Sequence, residues 1–465
     1  MAIITMLGAG SAFTAPLMRD IMQIPGLDKG EIRLVDIDAR RLAITEGLIK
    51  SLARHLKGEG WRVTGTTDRR KVLKGSDYII NCIEVSGTEC VRLDNDIPSM
   101  YGVDQCIGDT IGPGGIFKAL RTVPSWIGIL HDVERYCPQA LVLNYTNPMS
   151  IMTLAAVRNT SAQVVGLCHS VQGSSREMAK VAKVPYDEMD FRCGGINHLA
   201  WFTELKHKGR DLYPRIFKRV KTEKDVYELN PVRFEMMLHF GAFVTESSGH
   251  FSEYLPYFRK RPDLIKKYCR AGYLGGSSFY ADNWPQWRKD SDARRNELAK
   301  DITKMDLKRG YEYASEIIEA HQFNRPRIIY GSVLNQGLIA NLLPDNVAEV
   351  AVLVNRNGFN PCRFGELPPQ MAAICRSHQA VYDLVVRGIM NRDREAIVHA
   401  MMLDPLTAAV CSPAEIREMT ERMAAAEKPY LPSFMSKGLS LPSGYLKAVE
   451  KARITRAKNS RGRHG

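Results

Sequence analysis

No apolar run in this 465-residue chain approaches the roughly 20 residues that a membrane-spanning helix needs. No membrane partner is therefore expected. The opening MAIITMLGAG has neither a basic leader nor a cleavable apolar segment, which argues against a secretory signal. No internal repeat is visible. Acidic residues are outnumbered, 51 against 64 Lys and Arg, for a formal charge of +13. Much of that excess is local. The stretch 447–465, KAVEKARITRAKNSRGRHG, is strongly basic and ends in Ser, Gly and Arg with little to bury, so it reads as an unstructured tail. No recognition motif accompanies it, and specific nucleic-acid binding is not expected. The ten cysteines are scattered, and Cys82, Cys137 and Cys411 sit among apolar neighbours. Such usage points to packed, unpaired thiols in a reducing, cytoplasmic compartment.

What is present is an ordinary globular composition, 45% apolar and 25% charged, with length for one large or two ordinary domains. AIITMLGAGSAFTAPLMRDI reads as strand, glycine turn and helix. Gly8 and Gly10 fill the first two positions of a G-x-G-x-x-G fingerprint, where the backbone must turn and then admit a pyrophosphate at a helix N-terminus. Phe13 stands where the third glycine would be. EIRLVDID follows as a second strand ending in Asp36, placed for the adenosine ribose hydroxyls and favouring NAD over NADP. Further strands are expected in DYIINCIEVSG (77–87) and ALVLNYTNPM (140–149), with helices over 39–56 and 117–136.

This alternation predicts an α/β fold: an N-terminal, Rossmann-like, doubly wound parallel sheet over 1–195. A C-terminal, largely helical α/β domain for substrate binding and oligomerisation is expected over 196–446, and the basic tail over 447–465. The carboxyl ends of parallel strands host ligands. There the sequence offers Glu84–Ser86, Asn144, Asn147 and Cys168–His169. A second glycine-rich loop, GDTIGPGG (108–115), could order an anion nest or merely connect. Asp109 and Arg121 beside it are candidate contacts for a hydroxyl and for a phosphate or sugar oxygen. The segment 272–295, rich in glycine and aromatics, reads as a lid or dimer contact, and its Trp284 and Trp287 could stack on a sugar or pack.

Cys168 ends GLC and His198 ends GGINH, each at an element tip. Two such ligands cannot close a structural zinc site, but they suit a catalytic divalent ion with positions left for substrate. Cys193 is the competing ligand, although CGG reads as a turn. A Cys168–His169 nucleophile pair is disfavoured because adjacent side chains on a strand end point apart.

These motifs, in this order, resemble glycoside hydrolase family 4: MLGAGSAF, GDTIGPGG, NYTNPM, GLCHSVQG, GGINHLAWF, ESSGHFSEYLPYF, LNQGLIANLLPD, FGELPP and DPLTAAV. The resemblance covers nearly the whole chain. It implies a glycosidase that uses NAD and a divalent metal, most commonly Mn, in a redox-neutral sequence. The sugar is oxidised at C3, loses its C2 proton, expels its C1 substituent, takes up water and is reduced again. Family 4 is an exception to two-carboxylate glycoside hydrolysis, and no carboxylate pair is evident here.

By resemblance Cys168 and His198 are the metal ligands. Tyr254, with Tyr257 as the alternative, is the base, and His169 the acid. Asn147, Asp109, Arg121 and His250 contact the sugar; Glu246 is expected to line the same pocket. Gly8, Gly10, Ser11, Phe13, Asp36, Glu84 and Asn144 contact the cofactor. CHSV is similar to the α-galactosidase group, with an α-galacturonidase, or another uronide or phospho-sugar glycosidase, as the alternative. A simple NAD-dependent hydroxy-acid or sugar dehydrogenase is the rival from outside the family. Family members are usually dimers or tetramers, so a homodimer or homotetramer is implied.

Overall fold

The computed structural model describes residues 1–461. Among them, β1 (Ala2–Leu7), β2 (Gly30–Val35), β3 (Trp61–Thr66), β4 (Tyr78–Asn81), β5 (Leu141–Asn144) and β6 (Gln163–Gly166) run parallel. Their spatial order is 3-2-1-4-5-6, that of a dinucleotide-binding sheet. β1, β4 and β5 read AIITML, YIIN and LVLN, and nearly every residue in them is buried. Such continuous apolar runs suit strands covered by helices on both faces. The helix Ala39–Lys57 starts where the Asp38 carboxylate accepts from the N–H groups of Arg40 and Arg41.

β3 was not foreseen. It is the sheet edge; Trp61 and Val63 are buried but Arg62 is exposed, so the apolar signal is thin.

The sheet does not stop at β6. β7 (Met189–Ile196), β8 (Leu199–His207), β9 (Arg210–Asp211), β10 (Phe243–Val244), β11 (Arg327–Leu334), β12 (Val347–Asn355) and β13 (Gly358–Pro361) join it antiparallel. The order continues β6-β11-β12-β7-β8-β10, with β9 beside β8 and β13 beside β12. One sheet thus carries both the parallel half and the strands that follow residue 195. The expected turn at CGG is instead strand: Gly194 and Gly195 lie inside β7, where a Cβ would strike the Phe364 ring at 2.6 Å and the Leu199 carbonyl oxygen at 2.4 Å. The turn falls one step later, at Asn197 and His198.

Helices Pro369–Asn391, Arg394–Leu403, Pro405–Val410 and Pro413–Ala426 form the C-terminal layer. Asp404 and Ser412 cap the last two, each with proline at the first helical position. In the segment 272–295, a helix, Phe279–Lys300, carries both tryptophans. One expectation is corrected. Residues 445–461 are not an unstructured tail, because they form a helix on which Val449 is buried and Arg453 lies 3.8 Å from Asp96. Residues 462–465 lie outside the described residues. No described helix is long and apolar enough to cross a membrane.

Candidate active site

The site lies at the carboxyl ends of β1, β4, β5 and β6. After β1 the chain turns at Gly8, φ +74°, and a Cβ there would meet the Cys82 carbonyl oxygen at 2.3 Å. Only glycine fits both the angle and the space. The Gly10 N–H donates to Asp36 Oδ2 at 2.6 Å, and a Cβ on Gly10 would lie 2.9 Å from that oxygen. The two glycines form a bare backbone cradle before helix Thr14–Met22, with Asp36 at its rim. This fits a dinucleotide pyrophosphate and ribose. Ser11 accepts from the Phe13 N–H at 3.2 Å. Phe13, in the third-glycine position, stacks on the His169 ring at 6.0 Å and on Tyr145 at 6.3 Å.

Asn144 is held by its neighbours. It is fully buried, its Oδ1 accepting from Asn81 Nδ2 at 2.8 Å and its Nδ2 donating to the Thr146 carbonyl at 3.1 Å. It orders the β4 and β5 ends.

Arg121 is engaged by two carboxyl groups. Its guanidinium, 1% exposed, is bidentate to Asp94 at 3.0 and 2.7 Å and bonded to Glu427. Only Nε is left without a partner, and the residue lines the same cavity as Glu84, Asp109 and Lys118.

The cation beside the crevice is Lys118, 3.0 Å from Glu84 and 3.6 Å from Asp109. Burial pushes Glu84 upward; Lys118 and then His250 hold Asp109 below its ordinary value although burial opposes them. Asn147 Nδ2 donates to Asp109 Oδ2 at 3.3 Å; the Asn147–Pro148 peptide is cis. Glu84, Asp109, Lys118, Tyr280 and Trp284 together line a cavity of about 10 Å³. Three of the four glycines of the second loop, Gly112, Gly114 and Gly115, fall inside helix Gly112–Tyr136. Side chains on Gly114 and Gly115 would strike Gly108 and Thr110, so the loop is packed rather than flexible.

Cys168 follows β6 and His198 sits in the β7–β8 turn. His198 Nε2 is 3.2 Å from Cys168 Sγ and 3.4 Å from Glu246 Oε2. All three donor atoms lie within 4.8 Å of one another. Ligands about 2.0–2.3 Å from a shared ion, at tetrahedral or octahedral angles, stand about 2.8–3.8 Å apart. The S, N, O donor set therefore fits a divalent cation. His198 and Glu246 hold φ of +63° and +76°. Such angles cost non-glycine residues roughly 1–3 kcal/mol each and persist where the surroundings enforce them. Burial pushes the Cys168 thiol up to about 11. Glu246, despite burial, is held well below the carboxylate range by His198 and His250. A cation that binds the sulfur would favour its thiolate.

The His250 ring packs tilted against His198, centroids 4.3 Å apart, with Nδ1 3.8 Å from Glu246 and Nε2 3.9 Å from Asp109. It joins the metal cluster to the Asp109–Lys118 pair. Tyr254 is fully buried beside these rings, its hydroxyl 3.4 Å from the Asn197 carbonyl oxygen. Burial drives its phenol well above the ordinary value. Tyr257, the alternative base, is 42% exposed and packs edge-on against Phe258, outside this cluster. His169 Nε2 is 2.6 Å from Glu312 Oε2, and that bond raises the imidazole.

Three residues were missed or underread. Glu246 was expected only to line the pocket, Glu312 lies 143 residues from His169, and Lys118 sits one helical stretch past Asp109. The first shows only in ESSGH, where Glu246 and His250 are one turn apart. The others carry no local signal.

Residues 3–184 match the family described as Family 4 glycosyl hydrolase, and residues 193–407 match the Family 4 glycosyl hydrolase C-terminal domain. An alpha-galactosidase of Bacillus subtilis (strain 168) is 38% identical over 437 residues, spanning 93% of this chain and 99% of that protein. One from Rhizobium meliloti (strain 1021) is 36% identical over 449 residues, spanning 93% and 89%. The fold is similar to that of a 6-phospho-alpha-glucosidase from gut microorganisms crystallised with NAD and Mn²⁺: TM-score 0.77, 23% identity, 93% and 99% of the two chains. The chain belongs to glycosyl hydrolase family 4.

Proposed function

We propose that this chain is an NAD- and divalent-metal-dependent α-galactosidase that hydrolyses its substrate without net oxidation. The observation that carries the reading is one crevice holding both a glycine cradle and a Cys168–His198–Glu246 donor set. Identity of 36–38% to two alpha-galactosidases over nine-tenths of the chain supports the substrate. When bound, NAD supplies a hydride acceptor and donor, and the divalent ion supplies Lewis acidity.

The chain's own residues do the rest. The cradle at Gly8 and Gly10 takes the pyrophosphate, and Asp36 the adenosine ribose. Cys168, His198 and Glu246 hold the ion, which we read as Mn²⁺. Asp109 and Asn147 orient sugar hydroxyls, and Lys118 fixes Asp109. Tyr254 takes the C2 proton at its hydroxyl oxygen; burial keeps its phenol neutral, and a cation held by Cys168, His198 and Glu246 would offset that burial. His169 gives a proton to the departing C1 oxygen. Its bond to Glu312 favours the protonated ring, the state an acid needs. Glu84 is paired with Lys118, and Arg121 with Asp94, so no unpaired cation among these residues awaits a carboxylate or phosphate on C6. That favours a neutral sugar over a uronide.

Residues 1–195 are proposed as the dinucleotide half and 196–446 as the substrate and metal half. Ten free cysteines support a reducing, cytoplasmic setting, and a homodimer or homotetramer is the proposed assembly. The test is hydrolysis of p-nitrophenyl α-galactoside and α-galacturonide with NAD⁺, Mn²⁺ and a thiol reductant, each omitted in turn. Galactoside cleavage needing both NAD⁺ and Mn²⁺, without stoichiometric NADH, is expected. Cleavage without NAD⁺, or NADH accumulation without cleavage, overturns the reading.

A further inference from the structure

Four residues stand in one row across the sheet: Gly166 in β6, Ser332 in β11, Glu349 in β12 and Gly195 in β7. The outer two strands run on to Cys168 and His198. Glu349 therefore lies between the two ligand-bearing strands, beneath the ion site. Its neighbours in VAEVAVLVN are apolar, and it is 1% exposed. A carboxyl there costs several kcal/mol unless it has partners. Yet neither Glu349 oxygen bonds to any described residue, and the same holds for both amide atoms of Asn197, for His198 Nδ1 and for Ser332 Oγ. Asn197 approaches the carboxyl without a well-formed bond. Four adjacent residues thus carry unpartnered buried polar atoms at the back of one donor set. Folding alone would have placed valine at 349.

Metal-bound histidines donate their second ring N–H to an outer carboxylate, carbonyl or water, which fixes the tautomer and the ring. His198 points Nε2 at Cys168 and Glu246, leaving Nδ1 to find such an acceptor. We propose that Glu349 is that acceptor: a positioning residue that, directly or through Asn197 and a water, holds His198 with Nε2 toward the cation. The inference rests on the metal-dependent reading above. His169, Tyr254 and the glycine cradle play no part in it.

The test is Mn²⁺ binding by calorimetry and by Mn²⁺ electron paramagnetic resonance on full-length protein without substrate, with NAD⁺ affinity as the control. Glu349→Ala is expected to weaken Mn²⁺ about 10- to 100-fold. Glu349→Gln, which keeps shape and an acceptor but no charge, is expected to weaken it about threefold or more. NAD⁺ affinity stays within twofold in both. Should Glu349→Ala fail to fold, the isosteric Glu349→Gln decides. Mn²⁺ affinity within twofold of wild type overturns the proposal, and so does a parallel loss of NAD⁺ affinity, which would mark Glu349 as merely structural. Wild-type protein that binds no Mn²⁺ would instead sink the functional reading on which this rests.

Discussion

Arg121 separates a structural from a ligand-binding role most sharply. Its guanidinium, 1% exposed, meets Asp94 through two bonds of 3.0 and 2.7 Å, and Asp94 and Glu427 are themselves 7% and 0% exposed. Burial, and then the neighbouring Asp94, push Glu427 upward against the pull of Arg121. One buried guanidinium thus serves two buried carboxyl groups. Arg121→Met keeps most of the volume but strands the Asp94 charge. Breaking a buried pair by removing one partner costs about 3–5 kcal/mol. Replacing both partners by apolar residues is often close to neutral. Equilibrium urea unfolding should therefore show Arg121→Met less stable by about 3–5 kcal/mol, and Arg121→Met/Asp94→Leu recovering most of that loss. The KM for an aryl α-galactoside should stay within about threefold for the folded fraction. A variant of unchanged stability whose KM rises tenfold would refute the buried-pair reasoning and return Arg121 to the substrate.

Glu246→Ala removes one of three donors. Outer partners alone cost about 10- to 100-fold in metal affinity, so Mn²⁺ affinity by calorimetry should fall at least tenfold; an unchanged value would leave the site with two protein ligands. Gly8→Ala sets a Cβ against the Cys82 carbonyl at 2.3 Å in a left-handed backbone, and equilibrium dialysis should find NAD⁺ binding lost. Retained binding would show that the cradle is not where the dinucleotide sits. Burial raises Asp404 from 3.8 to about 6. The folded state then holds a proton that the unfolded chain releases, so this residue's contribution is fully present below about pH 4. It declines by ~3 kcal/mol as pH rises to about 6. Asp404→Asn keeps the cap to Thr407 and should flatten stability between pH 4 and 7 by about that amount in urea melts. An unaltered slope contradicts the assignment.

What could be read ahead of the structure was local. Gly8, Gly10 and Asp36 lie within one βαβ unit, where spacing alone implies a turn and an acidic cap. Cys168 and His198 were legible because each breaks an apolar strand at its end. What escaped depends on distant pairing. Glu246 becomes a third donor only when helix Ser248–Glu253 is folded against the β7–β8 turn, and Glu312 meets His169 across 143 residues. The internal bonds of Asn144 and Arg121 were not legible for one reason. A polar side chain at a strand end or early in a helix serves a ligand or an internal network equally well, and only Asn81 and Asp94 decide which. The helix at 445–461 hid behind its charge, since among its described side chains only Val449 is buried and Arg453 approaches Asp96.

The central claim is that Tyr254 removes a proton from C2 of a transiently oxidised sugar. The most direct measurement is hydrolysis of an α-galactoside in D₂O with NAD⁺ and Mn²⁺, followed by NMR of the released galactose. Deuterium at C2 in the wild-type product, and a collapse of both turnover and C2 exchange in Tyr254→Phe, is the predicted result. Galactose released at full rate with protium retained at C2 would contradict the account.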